Sequence, residues 1–146
     1  MIVYLDSSVV ARAYLQDEDG HTEAQALLQD PDIGRVTGTW TRIEVSGALV
    51  RAARAARIEA PPLLDVLDAD LGPDGPITVV SAPQDGVEAV AMRLVREHAI
   101  RTMDAWHLAV ASLTLPNLSE PREPLGFASR GVAQSAVAAT LGLQPI

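Results

Sequence analysis

Ile2–Asp6 reads IVYLD: apolar, β-branched and aromatic, then closed by an acid, which predicts a short buried strand. Ser7 stands where a helix N-cap is wanted, and the helix it opens is expected to reach Tyr14 or Leu15. DEDG at Asp17–Gly20 reads as a turn, Thr22–Gln29 carries apolar residues at helical spacing, and DPDIG at Asp30–Gly34 breaks the chain before a second strand at Arg35–Thr39. From Trp40 to about Ala60 the period is helical, with Ile43, Gly47, Val50 and Ala53 recurring on one side. Pro61 and Pro62 permit a new helix, expected over Leu63–Leu71 and ended by GPDGP at Gly72–Pro76. A strand at Ile77–Ser81 follows, then helices at Asp85–Ala99 and Thr102–Leu115. A proline-rich loop at Pro116–Pro124 leads to a strand at Leu125–Ser129, a helix at Val132–Leu141 and a final strand at Leu143–Ile146. Short strands alternating with helices predict an α/β domain: a mostly parallel sheet flanked by helices, read as one domain over residues 1–146.

Composition narrows the chemistry. There is no cysteine, so thiolate metal sites, disulfides and cysteine nucleophiles are excluded. No apolar run approaches the ~20 residues of a membrane span, and no basic region precedes the first apolar stretch, so a cytoplasmic protein without a membrane partner is expected. Acids outnumber bases 19 to 11, for a formal net charge of −8. All of those bases are arginine, so any contact to phosphate falls to guanidinium groups or to bound cations. With aromatics at 3%, a broad platform for stacking bases is not expected.

Three acids stand at chemically suggestive places. Asp6 closes the first strand, where open parallel sheets bind ligands, although an acid there also caps the following helix. Glu44 lies in the first turns of a helix among apolar neighbours, and Asp104 opens the nearly apolar Ala105–Leu115; both also suit a helix dipole. Thr102 is expected as the N-cap before Asp104. If the fold gathers these carboxylates, their repulsion needs an offset, and a divalent cation is the simplest one. Ligands that are all oxygen favour Mg²⁺ or Mn²⁺ over zinc or copper.

Asp6-Ser7-Ser8 after the first strand, Arg42-Ile43-Glu44 opening the long helix, and Arg101-Thr102-Met103-Asp104-Ala105-Trp106-His107-Leu108-Ala109 together resemble the PIN-domain family. More closely they resemble the VapC toxins of VapBC toxin–antitoxin pairs, and Phe127-Ala128-Ser129 and the Ala138–Leu143 tail are similar too. The resemblance implies a three-layer fold and a Mg²⁺-dependent endoribonuclease that works as a homodimer and is held by a VapB-type antitoxin. Its catalytic residues would be Asp6, Glu44 and Asp104. Asp6 and Asp104 would contact the metal, Glu44 would act mainly through water, and Ser8 would support Asp6. One departure stands out: Ser129-Arg130-Gly131 puts a glycine where the family carries a fourth acid. Glu120 and Glu123, in the preceding loop, are the acids available to replace it.

Arg51, Arg54 and Arg57 recur every three residues and read as a solvated face paired with acids or as a stripe tracking RNA phosphates, and the resemblance adds a third reading, a face for dimer or antitoxin contact. Arg130 would contact a phosphate or neutralise the place of the missing acid. His107 follows Asp104 by three residues and reads as a partly buried structural histidine more readily than as an acid or ligand. Two further readings compete with an RNA-cutting toxin. One is a weakened PIN-like module that binds antitoxin or RNA without cleavage, motivated by Gly131 and the acidic charge. The other is a phosphotransfer or haloacid-type hydrolase with Asp6 as nucleophile, disfavoured because no second acid lies close to Asp6 in Asp6-Ser7-Ser8. The RNA and its cleavage site are not legible in the sequence.

Overall fold

A computed structural model describes the whole chain, residues 1–146. In chain order the elements are β1 (Ile2–Leu5), α1 (Ser7–Tyr14), α2 (His21–Gln29), β2 (Gly34–Gly38), α3 (Trp40–Arg54), α4 (Ala60–Asp70), β3 (Thr78–Val80), α5 (Gln84–His98), α6 (Thr102–Leu118), β4 (Leu125–Ala128), α7 (Val132–Thr140) and β5 (Gln144–Pro145). The strands form one five-stranded sheet in the order β3-β2-β1-β4-β5. Every pairing is parallel, so the expected mostly parallel sheet is wholly parallel.

β1 is the central strand and is buried along its whole length. Its period of two sends Ile2 and Tyr4 into one apolar cluster and Val3 and Leu5 into the other. The first cluster lies under α5, α6 and α7; the second lies under α1, α3 and α4, with Ala24 of α2. The result is helix, sheet, helix in three layers. From β1 the chain adds β2 and β3 on one side, then β4 and β5 on the other. The carboxyl ends of β1 and β4 therefore flank the place where strand order reverses, which is where sheets of this kind bind ligands. The backbone N–H of Asp6 donates to the carbonyl of Ala128 at 3.0 Å, carrying the β1–β4 ladder right to that edge.

Several expected boundaries move. Asp6, not Ser7, is the N-cap of α1, and Arg101, not Thr102, is the N-cap of α6. α3 stops at Arg54 rather than near Ala60, and α4 begins at Ala60 with prolines at its first positions, where a missing N–H costs nothing. α6 continues through Pro116 to Leu118. Pro116 lacks the N–H that would reach the Ser112 carbonyl, and one residue on the Asn117 side chain donates to the Leu113 carbonyl at 3.2 Å. No helix is long and apolar enough to cross a membrane.

Candidate active site at the carboxyl ends of the strands

Asp6 leaves β1 with its carboxylate already tethered. Oδ2 accepts from the Ser8 backbone N–H at 3.1 Å and from the Ser8 hydroxyl at 2.5 Å, the support that the resemblance implied for Ser8. Oδ1 accepts from Gln134 Nε2 at 3.4 Å. The Ser8 hydroxyl also accepts from the Arg130 backbone N–H at 3.2 Å, tying the loop after β4 to the start of α1. Both strand ends thus hold one carboxylate in a fixed orientation.

Asp104 comes from the first turn of α6 and shares a cleft of about 510 Å³ with Asp6, Ser8, Arg101, Arg130 and Gln134. Its side chain accepts no hydrogen bond. Burial raises the Asp104 carboxyl above its ordinary range, the charge of Asp6 adds to this, and Arg101 and His107 only partly oppose it. Two carboxylates therefore face one space, and the second has no partner there.

Glu44, on α3, does not line that cleft. It meets Asp6 through His107, which is only 1% exposed. His107 Nε2 lies 2.6 Å from Glu44 Oε2 and 3.7 Å from Asp6 Oδ1, and its Nδ1 lies 2.9 Å from the Tyr4 hydroxyl. The Ser7 hydroxyl donates to Glu44 Oε2 at 2.5 Å. Burial pushes Glu44 up, but the hydrogen bonds from His107 and Ser7 and the His107 charge outweigh it, so its carboxyl sits below the usual range. A chain of buried hydroxyls extends the network: Ser7 reaches Thr41, Thr41 meets Thr37, and Thr37 donates to the Leu5 carbonyl at 2.7 Å. Gly38 closes it from above. A Cβ there would come within 2.5 Å of the Tyr4 hydroxyl and 2.8 Å of the Trp106 ring.

Among the residues read as sites, then, Asp6 and Asp104 come together directly, and Glu44 joins them through histidine. His107 is fully buried, where a partly buried structural histidine was expected, and it is the hub of the acids rather than a bystander. Gln134 and Tyr4 were not read as site residues. Gln134, 1% exposed, accepts the Ser129 hydroxyl through Oε1, and its Nε2 donates to Asp6 and to the Asp104 carbonyl, at 3.2 Å in the latter case. One signal was present: Gln134 shares the buried face of its helix with Val137 and Ala138, the one polar residue on that face. Glu120 and Glu123 cannot replace the fourth acid. Glu123 pairs with the N-terminal amine at 3.3 Å, at the opposite end of β1. The arginine stripe also breaks up. Arg57 lies past the end of α3 and pairs with Asp17 and Glu18 at 2.6 and 2.9 Å, and Arg130 pairs with Glu18 at 3.1 Å.

The sequence model of the PIN domain matches residues 3–114, more than half of the chain. The chain belongs to the PIN-domain family. PIN domains are generally nucleases and typically use divalent metal ions. The matched segment contains Asp6, Glu44 and Asp104 and ends before β4, so Gly131 and Gln134 of this PIN domain lie beyond it. No curated protein matches the chain. The donors of the cleft fit a hard cation: they are carboxylate oxygens, one of them unpartnered, with no sulfur. No three His, Asp or Glu side chains form a closed metal cage. A pair of carboxylates completed by water and substrate phosphate is nonetheless the set that Mg²⁺ commonly takes.

Proposed function

We propose that this PIN domain is a Mg²⁺-dependent endoribonuclease of the VapC type, the toxin of a toxin–antitoxin pair, with Mn²⁺ able to replace Mg²⁺. The observation that carries the reading is the Asp104 carboxylate, without a hydrogen-bond partner, beside Asp6 at the strand-order reversal: two like charges in one cleft, a repulsion that a bound divalent cation would offset. Asp6 and Asp104 are the metal-contacting residues. When bound there, a divalent cation supplies charge stabilisation for an in-line phosphoryl displacement and acidifies water. Ser8 and Gln134 keep Asp6 from turning away from the cleft. Glu44, ionised at neutral pH, is an acceptor for water rather than a proton donor, and His107 with Ser7 fixes its orientation. Arg101 is exposed at the cleft, forms no ion pair, and suits an RNA phosphate.

The toxin assignment is supported by the motif order across the chain, and the homodimer and the VapB-type antitoxin follow from the same resemblance. The exposed apolar residues Trp40, Ile43 and Val50 on α3 suit such partners. We further propose that residues 1–146 act as one unit in the cytoplasm. The weakened module that binds without cutting is favoured by one observation, the absence of an acid at Gly131.

The test combines Mg²⁺ and Mn²⁺ titration by calorimetry with sequencing of the products from total cellular RNA, for the wild type and Asp104→Asn. Discrete cuts and metal binding in the wild type, both lost in the variant, are the expected result. Metal binding without cuts on any RNA selects the weakened module, and absence of both overturns the nuclease reading.

A further inference from the structure

Gln134 occupies the side of the cleft where the missing acid would lie, and its amide is used at both ends. Oε1 accepts the Ser129 hydroxyl, which itself accepts from the Gly131 N–H at 2.9 Å, and Nε2 donates to Asp6 Oδ1 and the Asp104 carbonyl. The lone pairs of Asp6 can be counted. Each carboxylate oxygen offers about two acceptor positions. Ser8 fills those of Oδ2 with two donors, and Gln134 takes one on Oδ1, so one direction on Asp6 stays open. Asp104 keeps its acceptor positions free, whereas Glu44 Oε2 is already shared by Ser7 and His107. Towards β4 and α7 the cleft offers a hydroxyl, an amide and the Arg130 cation, and no anion.

We infer that Gln134 makes this a one-cation site: its neutral amide holds Asp6 and the first turn of α6 in place of a fourth carboxylate, and leaves no negative charge to retain a second ion. This rests on the proposal that Asp6 and Asp104 bind a divalent cation. An amide there does the positioning of an acid's partner without adding a charge beside Asp6. The local backbone does not forbid an acid: Gly131 has φ −80°, and a Cβ on it would stand 3.2 Å from Gln134 Cβ and 3.4 Å from its Oε1. Neighbouring side chains must therefore give slightly, while the main chain need not change.

The experiment is Mn²⁺ binding to the full chain, followed by calorimetry and by the electron paramagnetic resonance of free Mn²⁺, for the wild type, Gln134→Glu and Gly131→Asp. Circular dichroism confirms that each chain is folded. The expected stoichiometry is one ion for the wild type and two for each variant, with Gln134→Glu less stable than the wild type in EDTA and recovering on addition of Mn²⁺. Two ions on the wild type overturn the inference and leave the metal reading intact. Folded variants that both remain at one ion also overturn it. A wild type that binds no Mn²⁺ overturns the inference together with the metal reading on which it rests.

Discussion

Asp104 and His107, one helical turn apart on α6, are subject to opposite pressures. Asp104 is ionised at a cost, because burial and the Asp6 charge raise its pKa. A carboxyl with a raised folded-state pKa favours folding while it is protonated, below its unfolded pKa. That contribution is lost as pH rises through the folded pKa. Asp104→Asn is therefore expected to stabilise the metal-free fold at pH 7, by less than about 1 kcal/mol once solvent screening of a part-exposed group is allowed for. The gain should vanish at a pH below the carboxylate range, as denaturant midpoints at the two pH values would reveal. A variant less stable than wild type at pH 7 contradicts this account of the site. His107 is the reverse case, since its removal takes one of two donors from the part-buried Glu44 carboxylate and the buried partner from the Tyr4 hydroxyl. His107→Ala should cost about 2–4 kcal/mol, measured by urea unfolding, whereas His107→Gln, which can still donate to Glu44, should recover part of the loss. The acids were legible in the sequence because each carries a charge into an apolar context. The roles of His107 and Gln134 were not, since both depend on partners more than 60 positions away in at least one direction.

Helix ends show what local sequence conveys and what it hides. The strands were legible because each is a compact apolar run between breakers, and the two-core layout follows from the alternation along β1. The end of α3 was not, because its stop signal is an alanine. Ala56 has φ 56°, the Ala56 N–H donates to the Ala53 carbonyl at 2.9 Å, and the Arg57 N–H donates to the Ala52 carbonyl at 3.0 Å. This is the pair of bonds with which glycine usually ends a helix in the left-handed conformation. With alanine there, the helical pattern reads on past Arg54. Arg57, placed just after the stop, holds it through Asp17 and Glu18. Ala56→Gly should therefore stabilise the fold by roughly 1 kcal/mol, the approximate penalty for an L side chain in that region. A shift of the thermal midpoint upward is the expected outcome, and a downward shift would show that the backbone there is not left-handed in solution. Gly38→Ala is the opposite experiment. Its Cβ meets the Tyr4 hydroxyl and the Trp106 ring, so about 1–3 kcal/mol should be lost to overpacking.

At the scale of the whole molecule, a chain with net charge −8 must approach a polyanion. A nucleic-acid binder that relies on many basic side chains releases many counterions, and its affinity falls steeply with salt. Here few guanidinium groups are available at the cleft. Arg130 is committed to Glu18, which leaves Arg101 as the cation without an ion partner among the cleft residues. On the proposed function, most of the attraction would come from a divalent cation held by Asp6 and Asp104. Two consequences follow for RNA binding by the isolated chain, measured by fluorescence anisotropy on the Glu44→Gln variant to slow turnover. Chelation with EDTA should abolish binding. With Mg²⁺ present, the slope of log affinity against log monovalent salt should be shallow, about 1–2 in magnitude, since each neutralised phosphate in a single strand contributes roughly 0.7. Arg101→Ala should lower that slope by about one such contribution without altering metal affinity. A slope several times steeper, unchanged by EDTA, would mean that RNA is held on arginines away from the acids, with α3 and its exposed Arg51 and Arg54 the first surface to substitute.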